Sequence, residues 1–104
     1  MNHIKLIESQ SGLLSAELAS DIGYDEVPVY AEKVLKYLHG NVVSRNVLPD
    51  AQLWQVKIDG ISLELVYEDF PQMVSLEATS KEGNDLLRNL LPTLWGLIKD
   101  IRLA

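Results

Sequence analysis

Leu53-Trp54-Gln55-Val56-Lys57-Ile58-Asp59-Gly60-Ile61-Ser62-Leu63-Glu64-Leu65-Val66-Tyr67 alternates apolar and polar residues on both sides of a two-residue break. A period of two is the signature of a half-buried strand. An Asp-Gly pair supplies the two positive-φ positions that a type I′ hairpin turn needs. The turn fixes the register: Ile58 opposes Ile61, Val56 opposes Leu63 and Trp54 opposes Leu65, while Lys57/Ser62 and Gln55/Glu64 pair on the other face. A third run, Gln72–Ala78, continues the pattern if Glu68-Asp69-Phe70-Pro71 is a four-residue loop. Leu65 then meets Val74, Leu63 meets Leu76, Ile61 meets Ala78, Ser62 meets Glu77 and Glu64 meets Ser75.

Outward from this meander, Asn2–Ile7 and Leu13–Leu18 read as a hairpin around Glu8–Gly12, with Ile4/Leu6 and Leu14/Ala16/Leu18 as its buried sets. Asp25 is placed to cap a helix from Glu26 to about His39, with Pro28 in its first turn and Gly40 as the C′ residue. Val27, Ala31, Val34, Leu35 and Leu38 form its core stripe, and Glu32 to Lys36 is an i,i+4 pair on its exposed side. Asn41–Val47 is β-branched, interrupted by Arg45 and stopped by Pro49-Asp50, as an edge or near-edge strand would be. Thr79-Ser80-Lys81-Glu82 matches a capping box and starts a last helix, with a kink expected near Arg88–Pro92. The order β-β-α-β-β-β-β-α predicts a single α+β domain over residues 1–104, an antiparallel sheet with two helices packed on one face.

With 104 residues and an apolar fraction of 47%, the chain holds one core and no separate ligand-binding lobe. It has no cysteine, which excludes disulfides and thiolate chemistry and is compatible with a reducing cytoplasm. A net charge of −6 without a basic cluster opposes nucleic-acid binding. The opening residues lead into alternation rather than a signal peptide, and Leu86–Leu103 is broken by Arg88, Asn89, Pro92, Lys99 and Asp100, so no membrane span is expected. The expected location is the cytoplasm.

Several short segments, Gly23-Tyr24-Asp25, Leu38-His39-Gly40-Asn41-Val42, Leu53-Trp54-Gln55-Val56 and Leu65-Val66-Tyr67-Glu68-Asp69 followed by Val74-Ser75-Leu76-Glu77, resemble a family of small bacterial proteins classed only as a domain of unknown function. The resemblance covers about Gly23 to Leu91. It implies no activity, cofactor or catalytic residue.

Chemical motifs are few. His3 and His39 fall in no metal-binding pattern, and His39 suits the dipole at a helix C-terminus. Glu68, Asp69 and Phe70, at a hairpin tip with Pro71, are candidate interaction residues for a cation or a basic partner, although the tip lacks the further oxygens of a calcium loop. Lys57, Ser62, Glu64, Ser75 and Glu77 share a sheet face too open for acid–base catalysis. No P-loop, dinucleotide fingerprint or nucleophile elbow occurs. No catalytic, cofactor-binding or metal-binding residue is therefore assigned.

The last helix departs from this bland pattern. At about 100° per residue its apolar residues, from Leu86 and Leu97 through Ile101 to Ile98, Leu91 and Trp95, span an arc of roughly 180°. A helix on one core needs about 100°. Leu91, Trp95 and Ile98 at the trailing edge are thus candidates for a second contact, with the first helix or with another chain. Two functions follow as expectations: a non-catalytic protein-interaction module, binding another protein or dimerising through the last helix, or a small-ligand or metal-dependent enzyme using the Glu68-Asp69 tip and the Glu64/Glu77 face.

Overall fold

The computed structural model describes residues 4–103, with side chains through residue 100. The start of the first predicted run, His3 and the side chain of Ile101 lie outside the described residues. The elements run β1 (Lys5–Glu8), β2 (Leu14–Ala19), a short 3₁₀ turn (Tyr24–Glu26), α1 (Val27–Leu38), β3 (Asn41–Leu48), β4 (Ala51–Ile58), β5 (Ile61–Asp69), β6 (Gln72–Ala78) and α2 (Lys81–Leu103). The order of elements is the one the sequence predicts. All pairings are antiparallel, and the six strands lie in the order β1-β2-β6-β5-β4-β3.

The Asp59-Gly60 turn is as expected, with φ of 53° and 75°, and every predicted β4–β5 pair is found. The β5–β6 register is not the expected one. Leu63 faces Ala78, Leu65 faces Leu76 and Tyr67 faces Val74, so Glu64 lies opposite Glu77 rather than Ser75. Glu68 and Asp69 stay in the strand, and Phe70-Pro71, joined by a cis peptide bond, is the whole loop. The strand is displaced by two residues, which keeps each side chain on its expected face. Alternation has a period of two and cannot register such a shift.

Helix α1 starts at Val27, one residue later than a cap at Asp25 would place it. The Glu26 carboxylate instead accepts the Gly23 N–H at 2.7 Å, closing the 3₁₀ turn that leads into Val27. At the other end His39, not Gly40, takes the left-handed conformation (φ 57°). Its N–H reaches the Lys36 carbonyl and the Gly40 N–H reaches that of Leu35, the two bonds of a Schellman ending. Gly40 is required for a different reason: a Cβ there would stand 2.8 Å from Ile58 Cγ1 and 2.9 Å from the Lys57 carbonyl oxygen.

Helix α2 is capped by Ser80, whose Oγ accepts the Gly83 N–H at 3.0 Å, while Thr79 is drawn away to the Ser62 carbonyl of β5. It is helical through Pro92 without a break. Pro92 and Arg88 are both exposed, so water can take the Arg88 carbonyl that the proline leaves unpaired. Glu32 and Lys36 close no ion pair; the one found among the described residues joins Arg88 to Asp85 at 3.2 Å.

One core joins both helices to one sheet face. It contains the predicted α1 stripe with Tyr30 added, Leu86, Leu87, Leu94 and Leu97 of α2, and Trp54, Val56, Leu63, Leu65 and Leu76 beneath them. Burying such side chains contributes about 1.5–3 kcal/mol each. The opposite face is open but not uniformly wet: Val66, between Leu53 and Ser75 in register, is only 7% exposed. No helix among the described residues is long and apolar enough to cross a membrane.

Candidate functional site

Strand β5 separates the two acidic residues of the expected tip. Successive strand side chains point to opposite faces. Asp69 therefore lies on the helix side, where its carboxylate accepts the Tyr67 hydroxyl, and Glu68 lies on the open side opposite Met73. One cation cannot be shared between them. Asp69, with burial second, pushes the Tyr67 phenol up to about 12. Phe70 projects from the tip, 97% exposed.

The shift in register creates an arrangement that the sequence reading missed. Ser15, Glu77, Glu64 and Gln55 form one row across β2, β6, β5 and β4 on the open face. Gln55 donates from Nε2 to Glu64. Burial raises the Glu77 carboxyl above its usual range, followed by the charges of Glu64 and Glu68, against a lowering hydrogen bond from Ser15. Among the described residues no group of three or more His, Cys, Asp or Glu is placed to hold a metal ion.

The trailing edge of α2 is partly accounted for within the chain. Ile98 packs against the core, and Gly96 lies under Tyr37 of α1, whose hydroxyl donates to Asp100 at 3.0 Å. Leu91 and Trp95 are partly exposed and stand outside the core cluster, with Lys99 Nζ 5.8 Å from the Trp95 ring.

Most of the exposed large apolar side chains among the described residues lie elsewhere. Every residue of β3 is exposed, including Val42, Val43, Val47 and Leu48, and Val43 and Val47 keep 58% and 57% of their surface in solvent. The helix layer stops short of this strand. Arg45 instead lies over Trp54, 5.0 Å from the ring centroid, and Tyr24 donates to the Leu48 carbonyl at 2.6 Å. Between α1 and β3 runs an open groove of about 500 Å³ whose lining includes Val29, Lys33, Lys36, Gly40 and Val42. Val29, 58% exposed, continues the apolar surface onto the helix.

This edge differs in charge from the rest of the chain. Residues 33–49 hold Lys33, Lys36 and Arg45 and no acidic residue, in a protein of net charge −6. The edge position of the strand was legible from Arg45 and Pro49-Asp50. Its valines, read only as strand-formers, were the signal for the surface itself.

A protein-family model described as "Protein of unknown function (DUF3630)" matches residues 1–95, more of the chain than the resemblance over Gly23–Leu91. No curated protein and no solved structure matches the chain.

Proposed function

We propose that the chain, which belongs to the DUF3630 family of unknown function, is a non-catalytic protein-interaction module that binds through β3 and the groove beside α1. The observation that carries this reading is the concentration of exposed large apolar side chains there: Val29, Val42, Val43, Val47 and Leu48 make up most of those among the described residues. Exposed apolar side chains gathered beside charged ones are a common feature of contact sites on soluble proteins. The lack of cysteine is compatible with a reducing compartment, so the cytoplasm belongs to the same reading.

Because the chain has no cysteine, Val47→Cys can carry a single photoreactive label, with Glu82→Cys as the control on α2. We expect a covalent adduct in an extract of the source cells from the Val47 label and none from the Glu82 label. Excess unlabelled protein should compete for it, and excess Val43→Glu/Val47→Glu should not. Equal labelling from both positions would defeat the reading.

Leu91 and Trp95 favour a second reading, a homodimer through α2, because among the described residues they are the large apolar side chains of that helix left outside the core. Light scattering distinguishes it. A dimeric mass that falls to monomer in Trp95→Glu, with the circular dichroism spectrum retained, supports dimerisation; a monomeric wild type eliminates it.

A further inference from the structure

We propose that the open edge of β3 receives an extended segment of another protein, paired backbone to backbone as a seventh strand, with apolar and acidic side chains on the face turned toward α1. This inference rests on the interaction reading and names the form and chemistry of the partner.

The backbone is the first argument. An antiparallel strand gives alternate N–H and C=O groups to its one neighbour, so an edge strand keeps the other half unpaired. The two edges of this sheet are unequal: β1 has four residues and β3 has eight. The β3–β4 register shifts between Val42 and Ser44 and is then unbroken from Ser44 to Leu48. That five-residue stretch is a regular template for strand addition.

The side chains define what would add. Val42, Arg45 and Val47 lie opposite Val56, Trp54 and Gln52, on the helix side, while Ser44, Asn46 and Leu48 lie on the open side. A partner strand therefore meets valines and an arginine on one face, beside Lys33, Lys36 and Val29 of the groove, and largely polar groups on the other. On this face Lys33, Lys36 and Arg45 outnumber Glu32, the one acidic side chain lining the groove. An acidic residue opposite Arg45, flanked by apolar ones, satisfies this face.

A second copy fits less well. Pairing β3 with another β3 brings in a second Arg45 and no carboxylate, because the strand contains no acidic residue. Like charges placed across a strand pair are destabilising. Arg45 and the irregularity at Val43 thus act as the devices that discourage self-pairing at edges, and they leave a short ladder with a defined charge preference.

The test uses the palindromic heptapeptide Thr-Val-Thr-Glu-Thr-Val-Thr, capped at both ends, which presents the same side chains to a parallel or an antiparallel edge. Titrated into the ¹⁵N-labelled full chain, it should shift amide resonances of Asn41–Leu48 and of the groove side of α1, and slow exchange of β3 amides. The counterpart with lysine in place of glutamate should bind about tenfold more weakly, and Arg45→Glu should reverse that preference. The same peptide methylated on every backbone nitrogen should not bind. Lys33→Glu/Lys36→Glu, on α1, checks the charge argument without altering the strand and should also weaken the glutamate peptide.

Absence of binding, shifts mapping elsewhere, equal binding of the two charge forms or binding by the methylated peptide would each overturn the proposal. A wild-type dimer with β3 amides already protected would overturn it in favour of a second copy. If the Val47 label captures a partner while the glutamate peptide fails, strand addition falls and the interaction reading stands; if both fail, both fall.

Discussion

Glu77 shows how one register decision becomes a measurable property. Its carboxyl lies opposite Glu64 and is held above the usual range, chiefly by burial. Between the ordinary carboxylate range and that raised value the folded chain binds more proton than the unfolded chain, so stability falls as pH rises through the window. Glu77→Gln abolishes the effect. We expect its melting temperature to exceed that of the wild type at about pH 7 and the difference to vanish at a pH low enough to protonate Glu77 in both states, about pH 3. A variant less stable than wild type at neutral pH would mean that the carboxylate is held by a favourable partner. Gly40 is a second residue whose role changes on inspection: its place after a helix suggested a left-handed ending, while the space between Ile58 and the Lys57 carbonyl is what excludes a Cβ.

Among the elements, α2 separates two ways of starting a helix. The T-x-x-E pattern at Thr79–Glu82 pointed to Thr79, yet the helix begins at Lys81 and Ser80 holds the capping bond. Ser80→Ala should therefore destabilise the protein by about 1 kcal/mol, in the usual range for loss of an N-cap. Thr79→Ala should act through its bond to the Ser62 carbonyl, at the end of the β5–β6 ladder, and leave the start of the helix intact. Amide exchange at Gly83, the donor to Ser80, distinguishes them: it should quicken in Ser80→Ala and stay unchanged in Thr79→Ala. The same helix explains why its apolar arc looked too wide. Tyr37 and Gly96 bring α1 against one flank, so Ile98 has a place in the core, and Leu91 and Trp95 remain as the surplus.

Across the whole molecule, the strand order predicts a gradient of stability. Strand β5 lies between β4 and β6 and packs against α2, whereas β1 and β3 each have one neighbour. Native-state hydrogen exchange should be slowest in β5 and its two neighbours and fastest along the free edges of β1 and β3; equal protection of β3 in a monomer would mean that its edge is covered. Much of this architecture was determined by local chemistry in the chain. Alternation and the Asp59-Gly60 turn defined the β4–β5 pairing, and helical spacing identified the α1 stripe, because both periodicities are imposed by backbone geometry. Tertiary structure decided what period and propensity leave degenerate: the two-residue displacement of β6 that sets Glu64 against Glu77, and the contact of β2 with β6 that joins distant parts of the chain. It also decided which surface is left over. Two helices cover the middle of a six-stranded sheet and end before β3, and no pattern within Asn41–Leu48 encodes where a helix packed elsewhere will stop.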